Sequence, residues 1–279
     1  MRVGILGATG FIGRHLSNAL AQRGDEVVRD SLRDPERAAR NLVECDTIVN
    51  LAGEPLAQRW NAAVKHSILY TRTELPQRFL EAIGTFPAHP NAYISASAIG
   101  FYGTSETATF TEASPPGTDF LARVCVAWER EAQRAQTLGM RVAIVRTGVA
   151  LGDGGALAAM LTPFRLGGGG IIGDGRQWIS WVHIDDVVGV YLEAIDGVAG
   201  VMNATAPNPV TNAEFTRALG LAVHRPTVLP TPTFALRLML GEGADMLLTG
   251  QRVLPQRTLA EGYTFKFTEI DDALANAVA

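Results

Sequence analysis

The stretch Met1-Arg2-Val3-Gly4-Ile5-Leu6-Gly7-Ala8-Thr9-Gly10-Phe11-Ile12-Gly13-Arg14 decides how this chain folds. Val3, Ile5 and Leu6 form a short apolar run of the kind that makes a strand buried on both faces. Gly7, Gly10 and Gly13 follow at G-x-x-G-x-x-G spacing, and Leu16, Ala19 and Leu20 then continue at helical spacing. The three glycines have separate physical reasons. Gly7 allows a tight turn off the strand, Gly10 lets backbone approach a pyrophosphate, and Gly13 lets the helix pack closely on the strand. Thr9, Phe11 and Ile12 complete the loop, and the helix N-terminus offers free N–H groups and a positive dipole end to phosphates. A glycine triplet alone is weak evidence and could be an ordinary glycine-rich turn. A strand before it and a helix after it are the context a dinucleotide site requires.

Outward from this unit the pattern repeats. Val27-Val28 reads as a second strand, with Asp30, Ser31 and Arg33 at or just past its end, where a dinucleotide fold meets the adenosine ribose. An acidic residue there suits the 2′-hydroxyl of NAD and an arginine suits the 2′-phosphate of NADP. Arg33, in the turn Arg33-Asp34-Pro35, favours NADP over NAD, a solvated surface arginine being the plain alternative. Asp46 to Gly53 is a third strand ending in Leu51-Ala52-Gly53, small enough for backbone to lie close to a flat ring. Residues 61–84 read as one helix. Tyr93 to Ser97 is a fourth strand whose end carries Ser95, Ala96 and Ser97, residues 119–138 are helical, and Arg141 to Arg146 is a fifth strand. Alternating strands and helices predict a Rossmann-type, doubly wound parallel α/β sheet. The expected division is a dinucleotide-binding domain over 1–150, rejoined by 178–205, and a small substrate-binding cap from 151–177 and 206–279.

Net charge is −4 with no basic cluster, which argues against nucleic acid or an anionic membrane as the main partner. The longest apolar runs are too short to span a bilayer, and the first strand starts at residue 2, leaving no room for a signal peptide. Cys45 and Cys125 suggest neither a disulfide framework nor a metal pattern, consistent with a cytoplasmic protein that takes a small-molecule substrate.

Together these stretches, with Asn50-Leu51-Ala52-Gly53-Glu54-Pro55, Arg146-Thr147-Gly148, Trp178-Ile179-Ser180-Trp181-Val182-His183-Ile184-Asp185-Asp186 and Gln251-Arg252-Val253-Leu254-Pro255, resemble the extended short-chain dehydrogenase/reductases, in their atypical epimerase-family branch. The resemblance covers nearly the whole chain. It implies a nicotinamide cofactor and a Ser, Tyr and Lys acting together, the Tyr as acid/base and the Lys lowering its pKa while holding the ribose. Ser97 matches the serine position. The Tyr-x-x-x-Lys pair belongs on the next helix, yet residues 120–125 read Phe-Leu-Ala-Arg-Val-Cys. The chain has two lysines, Lys65 and Lys266, and the residues four before them are Asn61 and Gly262, so the pair lies nowhere else. Tyr102 is the nearest substitute acid, with Arg123 a source of charge; a loop aromatic used for packing is the alternative. The resemblance also leaves room for a homodimer formed through the outer helices.

Three functions follow from this reading. One is an NADP(H)-dependent oxidoreductase or epimerase-like enzyme using Ser97 and Tyr102. Another is an NADP(H)-binding sensor or interaction protein with little turnover. The third is a lyase or isomerase that uses the nucleotide structurally. Among the remaining candidates, Arg146 suits either a substrate contact or an ion pair. His183, Asp185 and Asp186 read as helix capping and pocket wall rather than a metal site. Gly167 to Gly170 reads as a loop suited to a lid.

Overall fold

In the computed structural model, which describes residues 1–227 and 230–279, six strands form one parallel sheet. They are β1 (Arg2–Leu6), β2 (Glu26–Asp30), β3 (Thr47–Asn50), β4 (Ala92–Ala98), β5 (Arg141–Thr147) and β6 (Gly200–Ala204). Their spatial order is β2-β1-β3-β4-β5-β6, so the winding reverses between β1 and β3, where an open α/β sheet leaves a crevice at its carboxyl edge. The first five strands fall where the sequence predicts them. The sixth was not foreseen, because Gly200-Val201-Met202-Asn203-Ala204 opens on a glycine and has little apolar run to reveal it.

Side-chain alternation sends each strand to two cores. Val3, Ile5, Ile94, Ala143 and Val145 pack with Leu16 and Leu20 of α1 (Phe11–Arg23) and with the face Val187, Tyr191, Ala194 and Ile195 of the helix Ile184–Asp196. Leu6, Tyr93, Val142 and Ile144 face the other way. They meet α2 (Pro35–Leu42), the helix Glu74–Ile83 and the end of Phe120–Gln133. Both faces are covered, which is what continuous apolar strands require.

The span 61–84 is two helices rather than one: α3 (Ala62–Tyr70) and α4 (Glu74–Ile83). Thr71 and Thr73 turn their hydroxyls back onto the carbonyls of Ser67 and Leu69, and Thr71 Oγ1 also accepts from Glu54 N–H, which stops the first helix. The expected helix 119–138 is α5 (Phe120–Gln133) continued by a 3₁₀ turn to Leu138 and closed by left-handed Gly139. Within the glycine-rich span, α6 (Gly155–Arg165) is a helix the sequence reading missed. Trp178–Ile179 and Trp181–His183 are strands, but outside the main sheet: the first pairs antiparallel with Val210–Thr211, the second parallel with Val149–Leu151. They lead into α7 (Ile184–Asp196). A third core joins Leu157 and Phe164 of α6, Trp181, Phe215 and Leu219 of α8 (Asn212–Ala222), and Leu274 of the C-terminal helix Ile270–Val278. Helix α9 (Thr233–Leu240) lies outside these cores. Among the described residues no helix is long and apolar enough to cross a membrane.

Candidate functional site

The glycine loop and the turn after β3 touch through their backbones. Gly7 has φ +84°, and a Cβ there would lie 2.9 Å from the Ala52 nitrogen and 3.0 Å from the Leu51 carbonyl carbon. A Cβ on Gly13 would collide with the Gly7 carbonyl and come within 2.8 Å of Ala8 Cα, so only glycine lets α1 pack this closely on the turn. Gly10 is the N-cap of α1 and supplies no side-chain cap, and the first turn of α1 holds no acidic residue. The N–H groups of Phe11, Ile12 and Gly13 therefore stay available to an anion, with the dipole favouring one. Thr9 and Gly10 are exposed, and Phe11 and Ile12 half-buried. Asn50 shapes the neighbouring turn: its amide donates to Tyr93 Oη and its carbonyl oxygen accepts from Ala52 N–H. That leaves Leu51 and Ala52 half-buried and Gly53 exposed beside the loop.

At the end of β2, Asp30 is already engaged. Its carboxylate accepts from Arg37 Nη2 at 2.7 Å, from Asn41 Nδ2 at 2.7 Å and from Ser31 N–H at 2.7 Å. These bonds hold it below the usual carboxylate range against the opposing effect of burial. Arg33 is exposed, and among the described residues its guanidinium makes no hydrogen bond or ion pair.

Ser97 and Tyr102 come together in a buried polar chain. Ser97 lies opposite Arg146 in the β4–β5 register. Its hydroxyl donates to Glu129 Oε1 at 2.6 Å. Glu129, on α5, also receives a two-pronged bond from Arg146, Nε–Oε1 at 2.8 Å and Nη2–Oε2 at 2.7 Å. Arg146 Nη1 donates to Tyr102 Oη at 2.9 Å, and Tyr102 Oη donates to Asn203 Oδ1 at 2.7 Å. The arginine lies 3.4 Å over the Phe101 ring, and Tyr102 stacks on Phe110. Burial pushes the Tyr102 phenol up from its ordinary value, with Arg146 opposing. Ser95 is buried mid-strand with its hydroxyl on the Ala96 carbonyl, so what it and Ala96 offer a ligand is backbone. Glu129 and Asn203, central to the chain, were not singled out as site residues from sequence; their roles arise only from pairing across α5, β5 and β6.

Arg146 is thus an ion-pair residue. His183 Nδ1 accepts from Asp185 N–H and caps α7, and burial holds its pKa below the ordinary value. Asp186 accepts from Tyr263 Oη, Lys266 N–H and Phe267 N–H, tying down the C-terminal segment. The helix is capped here as expected, but by His183 and not by the Asp pair that the sequence suggests for it, because Asp186 is turned to the C-terminal segment. Burial raises Cys125 to about 12, which leaves it an unreactive thiol at neutral pH. Arg123 is exposed and bonded to the Thr118 carbonyl. Trp181 is core; Trp178 is half-buried. A residue the sequence reading passed over, Arg72, stands buried between α3 and α4 against Gly53 and Trp128. Nothing in the local run Tyr70-Thr71-Arg72-Thr73 distinguishes it from a surface arginine on a helix.

Comparison with known proteins bears on this geometry. The family model described as the NAD dependent epimerase/dehydratase family matches residues 3–204, and a domain of unknown function, DUF1731, matches 231–277. The chain is 42% identical to the human epimerase family protein SDR39U1 over the full length of both. It is 35% identical to the epimerase family protein YfhF of Bacillus subtilis, covering 100% of this chain and 98% of that protein. A crystal structure of human SDR39U1 (isoform 2) with NADPH superposes at TM-score 0.90 and 38% identity, covering 99% of each chain. The Thermotoga maritima UDP-glucose 4-epimerase with UDP-glucose superposes at TM-score 0.83 and 18% identity over 100% of this chain and 97% of that one, a likeness of fold alone.

Proposed function

The chain belongs to the NAD-dependent epimerase/dehydratase family, and from that premise we propose that it binds NADP(H) and acts as an oxidoreductase or epimerase on a small polar substrate. The residues fit the nucleotide. Backbone donors at Phe11 to Gly13 suit its pyrophosphate, Leu51-Ala52-Gly53 suits a flat ring, and glycine at 7 and 13 keeps the cradle open. The observation that carries the choice of NADP is the state of Asp30. Its oxygens are taken by Arg37, Asn41 and Ser31, so it is poorly disposed to accept a ribose hydroxyl, while exposed Arg33 has a free fork for a 2′-phosphate. That human SDR39U1 crystallises with NADPH supports the same choice. Residues 1–150 with 178–205 would bind the nucleotide, and 151–177 with 206–279 the substrate.

The bound nicotinamide would supply hydride exchange; the chain must supply orientation and a proton. Ser97 and Tyr102 are the hydroxyls of the right type, and both are engaged in the buried chain through Glu129, Arg146 and Asn203. A reaction without a matched acid forgoes roughly 10²–10⁴-fold in rate. That geometry favours a second reading, an NADP(H)-binding protein with slow turnover that senses the reduced/oxidised ratio. Fluorescence titration with NADPH and NADH, on the protein and on Arg33→Ala, tests the nucleotide choice. Tighter NADPH binding that weakens selectively in the variant supports it, and equal NADH binding overturns it. Turnover of a carbonyl panel that is lost in Ser97→Ala or Tyr102→Phe separates the enzyme from the sensor.

A further inference from the structure

Arg72 is 9% exposed and, among the described residues, has no carboxylate within ion-pair distance. Its protein acceptor is the Ile68 carbonyl in the last turn of α3, 3.2 Å from Nη1. A guanidinium carries five N–H donors in a fixed fork, so most of this one faces no acceptor. Its Cζ lies 4.9 Å from the Trp128 ring centroid, and a Cβ on Gly53 would come within 2.9–3.2 Å of Cζ and both terminal nitrogens. Gly53 is itself exposed, so a bare backbone turn separates the fork from the surface. Glu54 is next in the chain, but its carboxylate accepts from Gln58 Nε2 at 2.9 Å. Burial holds Arg72 below the ordinary arginine value, and the nearby Cys125 and Glu54 offset this only in part. The unpartnered nitrogens of Arg72 are not among the fully buried orphan atoms, so the fork reaches the surface beside Gly53, where anionic oxygens of a ligand can complete it.

Its place in the fold says which ligand. The two positions on α5 where the family's lysine would stand, Val124 or Cys125, are both buried, and Val124 packs with Ile68 and Trp60. Ile68, in the last turn of α3, lies four residues before Arg72, so the turn that follows α3 holds Arg72 alongside the face of α5 that lacks the charge. A dinucleotide with its pyrophosphate on α1 and its adenosine toward β2 sends its other half the opposite way, over the ends of β3 and β4. Gly53 follows β3 there.

We propose that Arg72 is a cofactor-binding residue whose guanidinium hydrogen-bonds the nicotinamide-side ribose and neighbouring phosphate oxygens, supplying from the turn between α3 and α4 the fixed positive charge that α5 does not. This rests on the NADP(H) reading above. Because oxidised nicotinamide is itself cationic, the same charge favours NADPH over NADP⁺.

The experiment is a set of dissociation constants for NADPH, NADP⁺ and 2′,5′-ADP, the last carrying only the adenosine half, on the wild type, Arg72→Met and Arg72→Lys, with a melting curve for each. Arg72→Met should weaken NADPH about 10- to 100-fold, the range of a charge-assisted bond or two. It should leave 2′,5′-ADP within about twofold and narrow the preference for NADPH over NADP⁺, and Arg72→Lys should recover part of the loss. The melting temperature of ligand-free Arg72→Met should hold or rise, since an apolar side chain replaces an unpaired charge. Unchanged NADPH binding in Arg72→Met, or equal weakening of NADPH and 2′,5′-ADP, overturns the role of Arg72 alone. Failure of the wild type to bind either nucleotide removes the NADP(H) reading and this proposal together.

Discussion

Ser97 and Arg146 face each other across two strands, and Glu129 bridges them in a site where Glu129 is 5% exposed and Arg146 4%. At such burial the pair's stability is asymmetric: both charges together are tolerated, one alone is not. Glu129→Gln leaves the Arg146 guanidinium without its counter-charge and should cost about 3–5 kcal/mol, read from urea unfolding. The double variant Glu129→Gln/Arg146→Met should recover most of that loss. An additive double variant would mean that the two residues act separately. At this scale the sequence shows residue types and positions along strands, so Ser97, Tyr102 and Arg146 could be named. It does not show that Glu129, seventeen residues before Arg146, closes the chain between them, because that contact exists only once α5 lies over β4 and β5. Arg33 and Asp30 present the same limit: both types were visible, but Asp30's pairing with Arg37 and Asn41 depends on α2 folding back over β2.

Among the elements, the β1–loop–α1 unit was the most legible, because its glycines answer to local geometry and not to distant partners. Gly13 gives the sharpest consequence. An added methyl meets the Gly7 carbonyl and Ala8 backbone, which cannot swing aside as a side chain would. Gly13→Ala should therefore cost about 1–3 kcal/mol and displace α1 from the loop. The check is a titration in which NADPH binding falls by at least tenfold while the circular dichroism of the native helices persists. Retained affinity would show that the nucleotide does not sit on the α1 N-terminus. The break between α3 and α4 was less legible. Apolar periodicity runs through it, and the interruption comes from two threonine hydroxyls bonding backward together with the backbone N–H of Glu54, a partner seventeen residues away from Thr71. That break is also what sets Arg72 between two helices instead of on the outside of one.

Across the whole molecule, the C-terminal residues are fastened to the rest of the fold by polar anchors, buried Asp186 and half-buried Glu112, that composition could not reveal. Asp186 holds Tyr263, Lys266 and Phe267, and Glu112 accepts from the backbone of Asn203, Arg257 and Thr258. His183 sits at the same seam, its ring 4.0 Å from that of Phe267 and its Nδ1 accepting the capping bond from Asp185. Protonation must break that cap, and burial already disfavours the charged ring, with Asp185 and Asp186 opposing and Lys266 assisting. The folded-state pKa therefore lies below the unfolded value of about 6.5. Below that value the unfolded chain binds more protons at this site, so the stability from neutral His183 is complete above about pH 6.5 and is lost as the pH falls through the window beneath it. Asn, a good N-cap without a titrating ring, separates the two contributions. Melting curves from pH 7.5 to 5.5 should show the wild type losing stability faster than His183→Asn, whose overall stability is lower from the lost ring packing but whose pH slope is flatter. Parallel slopes would place the proton uptake elsewhere. A flatter slope accompanied by protease cleavage beginning after residue 255 in the acidified wild type would identify release of the C-terminal segment from Asp186 as the event that protonation triggers.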